Sequence, residues 1–169
     1  MLDKFIQAKQ EEITRLKTQG VKKHAQKDFQ DFRPSFSGSL ADNSPGAVIA
    51  EFKRASPSQG KINLSLTPEE VGDIYQQGGA AAISVLTEER YFQSKLEFLF
   101  EFHNSGLPLL RKDFIFHQLQ IEETACTPAS ALLLIARVFD YASSLSYCIE
   151  HTCEHGLEPV VEIFNHLDL

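Results

Sequence analysis

The chain has 169 residues, 43% of them hydrophobic, with a formal net charge of −7 and no basic tail. That is the size of one ordinary domain with a sizeable core. The charge argues against nucleic acid or an anionic membrane as partner, and no apolar run approaches the roughly 20 residues of a membrane span.

The first residues, MLDKFIQAKQEEITRLK, lack the apolar stretch of a signal peptide and read as a charged helix over 2–18. Leu2, Ile6, Ile13 and Leu16 fall near one of its faces. Residues 20–45 are polar, with Pro34, Pro45, Gly38 and several serines, and are expected to form a surface linker with a helical turn near 26–32. The chain thus divides into an N-terminal helix and linker, 1–45, and a main body, 46–169.

From residue 47 the pattern becomes an alternation of strand and helix. Strands are expected at 47–53, 81–86, 107–111, 131–135 and 158–163, each short and apolar, as parallel strands covered on both faces should be. Thr67-Pro68-Glu69-Glu70 combines a capping box with proline at the first helical position, and Gly78-Gly79 stops that helix. Ser94-Lys95-Leu96-Glu97 reads as a second capping box, with Gly106 after its helix. A third helix is expected over about 117–125. A fourth opens at Asp140 or Ser143, carries Leu145, Cys148 and Ile149 inward, and ends before Gly156. Repeated β-α units specify an α/β fold with right-handed crossovers. Five units fit either an open doubly wound sheet or part of a (β/α)₈ barrel, which when whole needs about 250 residues. The three cysteines, odd in number and without a CxxC pair, suggest free thiols in a reducing cytoplasm.

Three strands carry charge near their C-terminal ends: Glu51 and Lys53 on the first, Arg111, Lys112 and Asp113 on the third, and Glu162 on the fifth. A charge inside a doubly covered strand is costly unless paired or hydrated. At the C-terminal rim of a parallel sheet it faces the ligand crevice instead. Period two puts Glu51 and Lys53 on one face, and a closed arc would bring Lys112 and Glu162 to the same mouth. Two carboxylates and two ammonium groups suit proton transfer; a purely structural ion-pair network is the competing reading. Arg54, Arg111 and Asp113 are read as supporting partners at the rim.

The strings VIAEFKRASPSQG, GGAAAISVLTEERYFQ, LPLLRKDFI followed by QIEE, ALLLIA and EPVVEIF resemble, in order and spacing, the indole-3-glycerol phosphate synthases. The resemblance covers about 45–164, and the N-terminal helix fits the family's extra helical segment. It implies a (β/α)₈ TIM barrel of tryptophan biosynthesis. The reaction is that of a carbon–carbon lyase (carboxy-lyase): 1-(2-carboxyphenylamino)-1-deoxyribulose 5-phosphate becomes indole-3-glycerol phosphate, releasing carbon dioxide and water. It implies no metal and no organic cofactor. By the same resemblance Lys112 is the general acid, Glu162 transfers protons during dehydration, Glu51 is essential to the chemistry, and Lys53 contacts the substrate carboxylate. Ser56 is expected near that carboxylate, and Phe114 with Leu133 or Leu134 as walls for the anthranilate ring. The loop Cys126-Thr127-Pro128 stands where the family has a glycine-containing turn.

The family's sixth strand brings an asparagine, its seventh a glutamate–serine pair, and its seventh and eighth loops most of the phosphate grip; none follows FNHLDL here. The expectation is therefore a barrel truncated to about five strands, inactive alone. The first explanation is a truncated gene product or fragment of a synthase; its partners would be the sugar-phosphate substrate and the missing C-terminal half-barrel. The alternative is a non-catalytic remnant, or half of a split enzyme, acting as an interaction module. A phosphoribosylanthranilate isomerase-like barrel fits less well, since no cysteine stands at a strand end. Cys148, His151 and His155, spaced i, i+3, i+7, resemble a zinc face without an evident fourth ligand.

Overall fold

In the computed structural model, residues 2–21, 29, 33–62 and 65–168 are described. Helix α1 (Asp3–Gln19) is followed by α2 (Phe36–Asp42), strand β1 (Ile49–Phe52) and a small hairpin, β2 (Ala55–Ser56) with β3 (Gly60–Lys61). Then come α3 (Pro68–Gln77), β4 (Ala82–Leu86), α4 (Glu89–Phe92), α5 (Phe98–Glu101), β5 (Leu109–Lys112), α6 (Gln118–Ala125), β6 (Ala131–Ile135), α7 (Ala142–Glu154) and β7 (Glu158–Glu162).

The five long strands form one parallel sheet in the order β1-β4-β5-β6-β7. A doubly wound sheet reverses its strand order at a switch point; this one never does. The helices that connect its strands lie on one side. Phe52, Ile83, Val85 and Leu109 pack against Val71 of α3 and Phe98 and Leu99 of α5. Leu132 and Leu134 pack against Ile121 of α6 and Cys148 of α7. The sheet is an arc of a (β/α) barrel. The residues that alternate with these face inward, and α2 covers the N-terminal end of that inner face, with Phe36 and Leu40 against Ala82, Leu110, Ala131 and Val160.

Helix α3 begins as the sequence specifies: the Thr67 side chain accepts from the Glu70 amide, and the Glu70 carboxylate accepts from the Thr67 amide at 2.8 Å. It stops at Gly78, followed by Gly79 at φ +77°, a backbone conformation that costs glycine little. Elsewhere local signals misread the structure. Ser94 caps no helix, because its hydroxyl donates to the Leu86 carbonyl; α5 starts after Glu97, without a side-chain cap. The α7 cap position is Tyr141, again without a side-chain cap, and neither Asp140 nor Ser143 fills it. Residues 20–45 hold α2, which no periodicity announced. The helical turn read over 26–32 lies outside the described residues except for Phe29, whose ring packs on Phe100 and His103. The Cys126-Thr127-Pro128 loop leaves β6 intact, with Thr127 Oγ1 donating to the Thr124 carbonyl at 2.7 Å.

Helix α1 buries a different stripe from the one its aliphatic residues suggest: Phe5, Lys9, Ile13 and Leu16 are buried, while Leu2 and Ile6 are only half-buried. No helix among the described residues is long and apolar enough to cross a membrane.

Candidate active site

Period-two alternation sends Ile49, Glu51 and Lys53 to the inner face of β1 and its extension, opposite Phe52 in the helix-facing core. It does the same for Lys112 at the end of β5, Leu133 and Ile135 on β6, and Glu162 at the end of β7. Glu51, Lys53, Lys112 and Glu162 consequently line one cleft of ≈ 310 Å³ at the C-terminal mouth of the arc.

Within that cleft the Glu51 carboxylate receives a cation on each oxygen. Lys112 Nζ donates to Oε2 at 2.7 Å and Lys53 Nζ to Oε1 at 3.0 Å. The three side chains are about one-third exposed, at 40% for Lys112, 33% for Lys53 and 32% for Glu51. Partial burial pushes the Glu51 pKa up, but the lysine hydrogen bonds outweigh it and hold the carboxyl below its usual range. Ion pairs this accessible to water add little stability. Their chemical consequence is larger: an ionised carboxylate lies against two proton donors. The Tyr75 hydroxyl donates to the Glu51 carbonyl at 2.9 Å and fixes that part of β1 from α3. Glu162 faces the same space, and among the described residues no hydrogen bond or ion pair engages its carboxylate.

The remaining wall is apolar. Phe114, Leu133, Leu86 and Ile135 come from the barrel. Leu2 and Phe5 of α1 and Phe92 of α4 complete it. The Phe5 and Phe114 rings are stacked, with centroids 4.4 Å apart and planes 7° from parallel. Of the two leucines read as pocket walls, only Leu133 reaches the cleft. Leu134, one residue on, faces the helix layer and is fully buried against α6 and α7. Ser56 lies in the β2–β3 hairpin, where its hydroxyl accepts from the Gln59 amide at 3.1 Å; it does not line the cleft.

Sequence reasoning missed Leu2, Phe5, Phe92, Ile135 and Glu88. The Glu88 carboxylate caps α4, accepting from the amides of Arg90, Tyr91 and Phe92, and it borders the cleft. An acidic residue two positions after a buried strand and directly before a short helix was a usable signal for it. Phe5 carried none, because its role depends on where α1 docks.

Asp113 borders the cleft, but its carboxylate, like the Arg111 guanidinium, is buried on the other side of the strand end from the Lys112 ammonium, as their position beside Lys112 on a pleated strand requires. Arg111 is 1% exposed and pairs with Asp113 at 3.3 Å, Glu123 at 3.4 Å and Glu12 at 3.5 Å. The larger cavity behind them, ≈ 400 Å³ between α1 and the β4–β5 rim, is bordered by this internally paired set of charges. On the histidine–cysteine face of α7, Cys148 is buried in the core, and the His151 and His155 rings lie 4.3 Å apart. No group of three metal-ligating side chains converges among the described residues.

Comparison with known proteins identifies the family. The family model described as indole-3-glycerol phosphate synthase matches residues 2–169. The indole-3-glycerol phosphate synthase of Shouchella clausii is 40% identical over 171 residues, covering 100% of this chain and 64% of that protein. That of Desulfotalea psychrophila is 37% identical, covering 96% and 64%. That of Aquifex aeolicus is 42% identical over 139 residues, covering 82% and 51%. The chain therefore spans less than two thirds of the length of these relatives. The family model covers nearly the whole chain, and on that ground the chain belongs to the indole-3-glycerol phosphate synthase family.

Proposed function

We propose that this chain carries the acid–base half of an indole-3-glycerol phosphate synthase site, acting on 1-(2-carboxyphenylamino)-1-deoxyribulose 5-phosphate. The supporting observation is the Lys112–Glu51–Lys53 chain of contacts, 2.7 and 3.0 Å long, beside an aromatic and aliphatic wall. Phe114 and Leu133 offer the anthranilate ring its apolar face. Lys53, on the other Glu51 oxygen from Lys112 and one-third exposed to the cleft, pairs with the substrate carboxylate. The ring carbon bearing that carboxylate bonds to the carbonyl carbon, and Lys112 gives the carbonyl oxygen its proton. Carbon dioxide leaves and its bonding electrons return to the ring. The new hydroxyl then departs as water, which needs one proton given to it and one taken from the adjoining ring system. Glu162 and Glu51 handle that traffic. Ser56 has no part in this cleft and is assigned none.

The outer edges of β1 and β7 pair with no other strand among the described residues. Exposed Val48, Ile49, Val161, Ile163 and Phe164 lie along them and just beyond. We therefore propose a half-barrel partner that adds parallel strands at both edges and supplies the phosphate-binding groups. The three free thiols, Cys126, Cys148 and Cys153, suit a reducing cytoplasm.

The test is turnover of the substrate by the purified chain, alone and with a separately expressed C-terminal segment from one of the relatives. The expectation is negligible turnover alone and restored turnover in the mixture. Normal turnover by the chain alone would refute the need for a partner. A folded mixture that neither binds nor converts the substrate would refute the assignment.

A further inference from the structure

Lys9 occupies an unusual place. It lies in the middle of the buried stripe of α1, between Phe5 and Ile13, and is 4% exposed. A leucine there would pack without the cost of removing an ammonium from water. The ammonium instead donates to Asp113 Oδ2 at 2.8 Å and Glu12 Oε2 at 2.6 Å.

Asp113 directly follows Lys112, and its carboxylate organises the backbone on both sides of that peptide. Oδ1 accepts from the Phe114 amide at 2.8 Å. Oδ2 accepts from Thr87 Oγ1 at 2.6 Å and from Arg111 at 3.3 Å. The Thr87 amide in turn donates to the Lys112 carbonyl at 3.1 Å. Arg111 already gives Asp113 a cation from its own strand. What Lys9 adds is attachment to a separate element, reinforced one turn earlier by the Phe5–Phe114 stack.

We propose that Lys9 is a positioning residue for Lys112: through Asp113, helix α1 fixes the end of β5 so that the Lys112 ammonium meets Glu51. The proposal rests on the synthase reading for the importance of Lys112, but the geometry and its test do not require turnover. A charge displaced by about 1 Å can lose much of its catalytic value. A latch on the backbone that carries it is thus a latch on activity.

Competitive acetylation of the full chain with trace acetic anhydride, read at each lysine by mass spectrometry, tests this. Lys112 and Lys53 are followed, with exposed Lys61 as reference. In Lys9→Met the labelling of Lys112 rises about tenfold, the lower end of what one charged hydrogen bond's worth of restraint corresponds to. Lys53 and Lys61 stay unchanged, and Lys9→Arg, which keeps the cation, behaves as wild type. A general loosening would raise Lys53 and Lys112 together. That result, an unchanged Lys112, or failure of Lys9→Arg to hold the wild-type rate overturns the proposal. If Lys9→Met does not fold, Thr87→Val decides by the same criterion: it removes one donor to Asp113 with little change of shape, and a selective rise at Lys112 is expected. A negative result leaves the synthase assignment standing, because no substrate is involved. Failed turnover likewise leaves the labelling result standing.

Discussion

Lys112 Nζ lies 2.7 Å from Glu51 Oε2, joining the ends of two strands that are not neighbours in the sheet; β4 runs between them. An inward-curving arc is what lets side chains from β1 and β5 reach each other across it. The same curvature brings Glu162 of β7 to the cleft.

Replacing Lys112 by methionine in the complemented enzyme should lower kcat by about 10²–10⁴-fold, the usual worth of a positioned general acid. Folding should survive, since the side chain is 40% exposed and its ion pair is worth about 1 kcal/mol or less. Steady-state kinetics with a thermal melt on the same sample separates the two effects. Retained turnover would remove Lys112 from the role of acid.

Glu51 provides a titration test. Its carboxyl pKa is held down chiefly by its lysine contacts, against the upward push of burial. Removing either cation must therefore raise it, and Lys112→Met should raise it more than Lys53→Met. Carbon-13 NMR of glutamate-labelled protein reads the shift directly. In the complemented enzyme Lys53→Met should act mainly on KM, because its proposed partner is the substrate's own carboxylate. A Glu51 resonance indifferent to both changes would mean that the ion pairs do not persist in solution.

Asp113 sets the acid limb of stability. Burial pushes its pKa up, but Lys9 and Arg111 bring it below the ordinary carboxylate value. The stability this contributes is present above the unfolded-state pKa of about 3.9 and is lost as pH falls through the lower folded-state value. For Lys9, burial pushes the pKa down, and Asp113 with Glu12 raises it overall. Its contribution is therefore present below about 10.4 and lost as pH rises through the raised folded value. Asp113→Asn should cost about 3–5 kcal/mol at neutral pH by leaving buried cations underpaired, and the loss of stability toward acid should flatten. Urea denaturation across the pH range measures both, and an unchanged acid limb would contradict the buried pairing.

The strands were legible because a parallel strand covered on both faces is a short apolar run bounded by turns. Strand β6 matches its expected bounds, and the others differ by one or two residues. The charged rim was legible for the opposite reason, since Glu51, Lys112 and Glu162 interrupt such runs where burial would be most costly. Tertiary context decided the rest. Helix α2, FSGSLAD, has no helical periodicity worth reading; the Ser35 hydroxyl and the distant Glu158 carboxylate hold its N-terminus, with Glu158 accepting from the Phe36 and Ser37 amides. Ser94 carries a sound local capping signal that a buried carbonyl overrides. A lone lysine in a charged helix reads as solvated, and only the docking of α1 reveals that Lys9 is buried.

Self-association follows from the two sheet edges. Among the described residues, strand β1 pairs only with β4, and β7 only with β6, so each presents an unpaired row of backbone groups. Apolar side chains accompany them: Val48 is 57% exposed, Ile49 42%, Val161 39% and Ile163 44%. Open edges flanked by apolar surface pair with whatever strand is available. At micromolar concentrations the chain alone should therefore show a scattering mass that rises with concentration. Ile49→Lys combined with Val161→Lys puts a charge on each edge strand, and should reduce that association while leaving the far-ultraviolet circular dichroism in place. The complementary half-barrel segment should suppress it as well, because it occupies the same edges. A wild-type chain that stays monomeric across the concentration range would show that these edges are protected, and would take away the physical basis for a strand-adding partner.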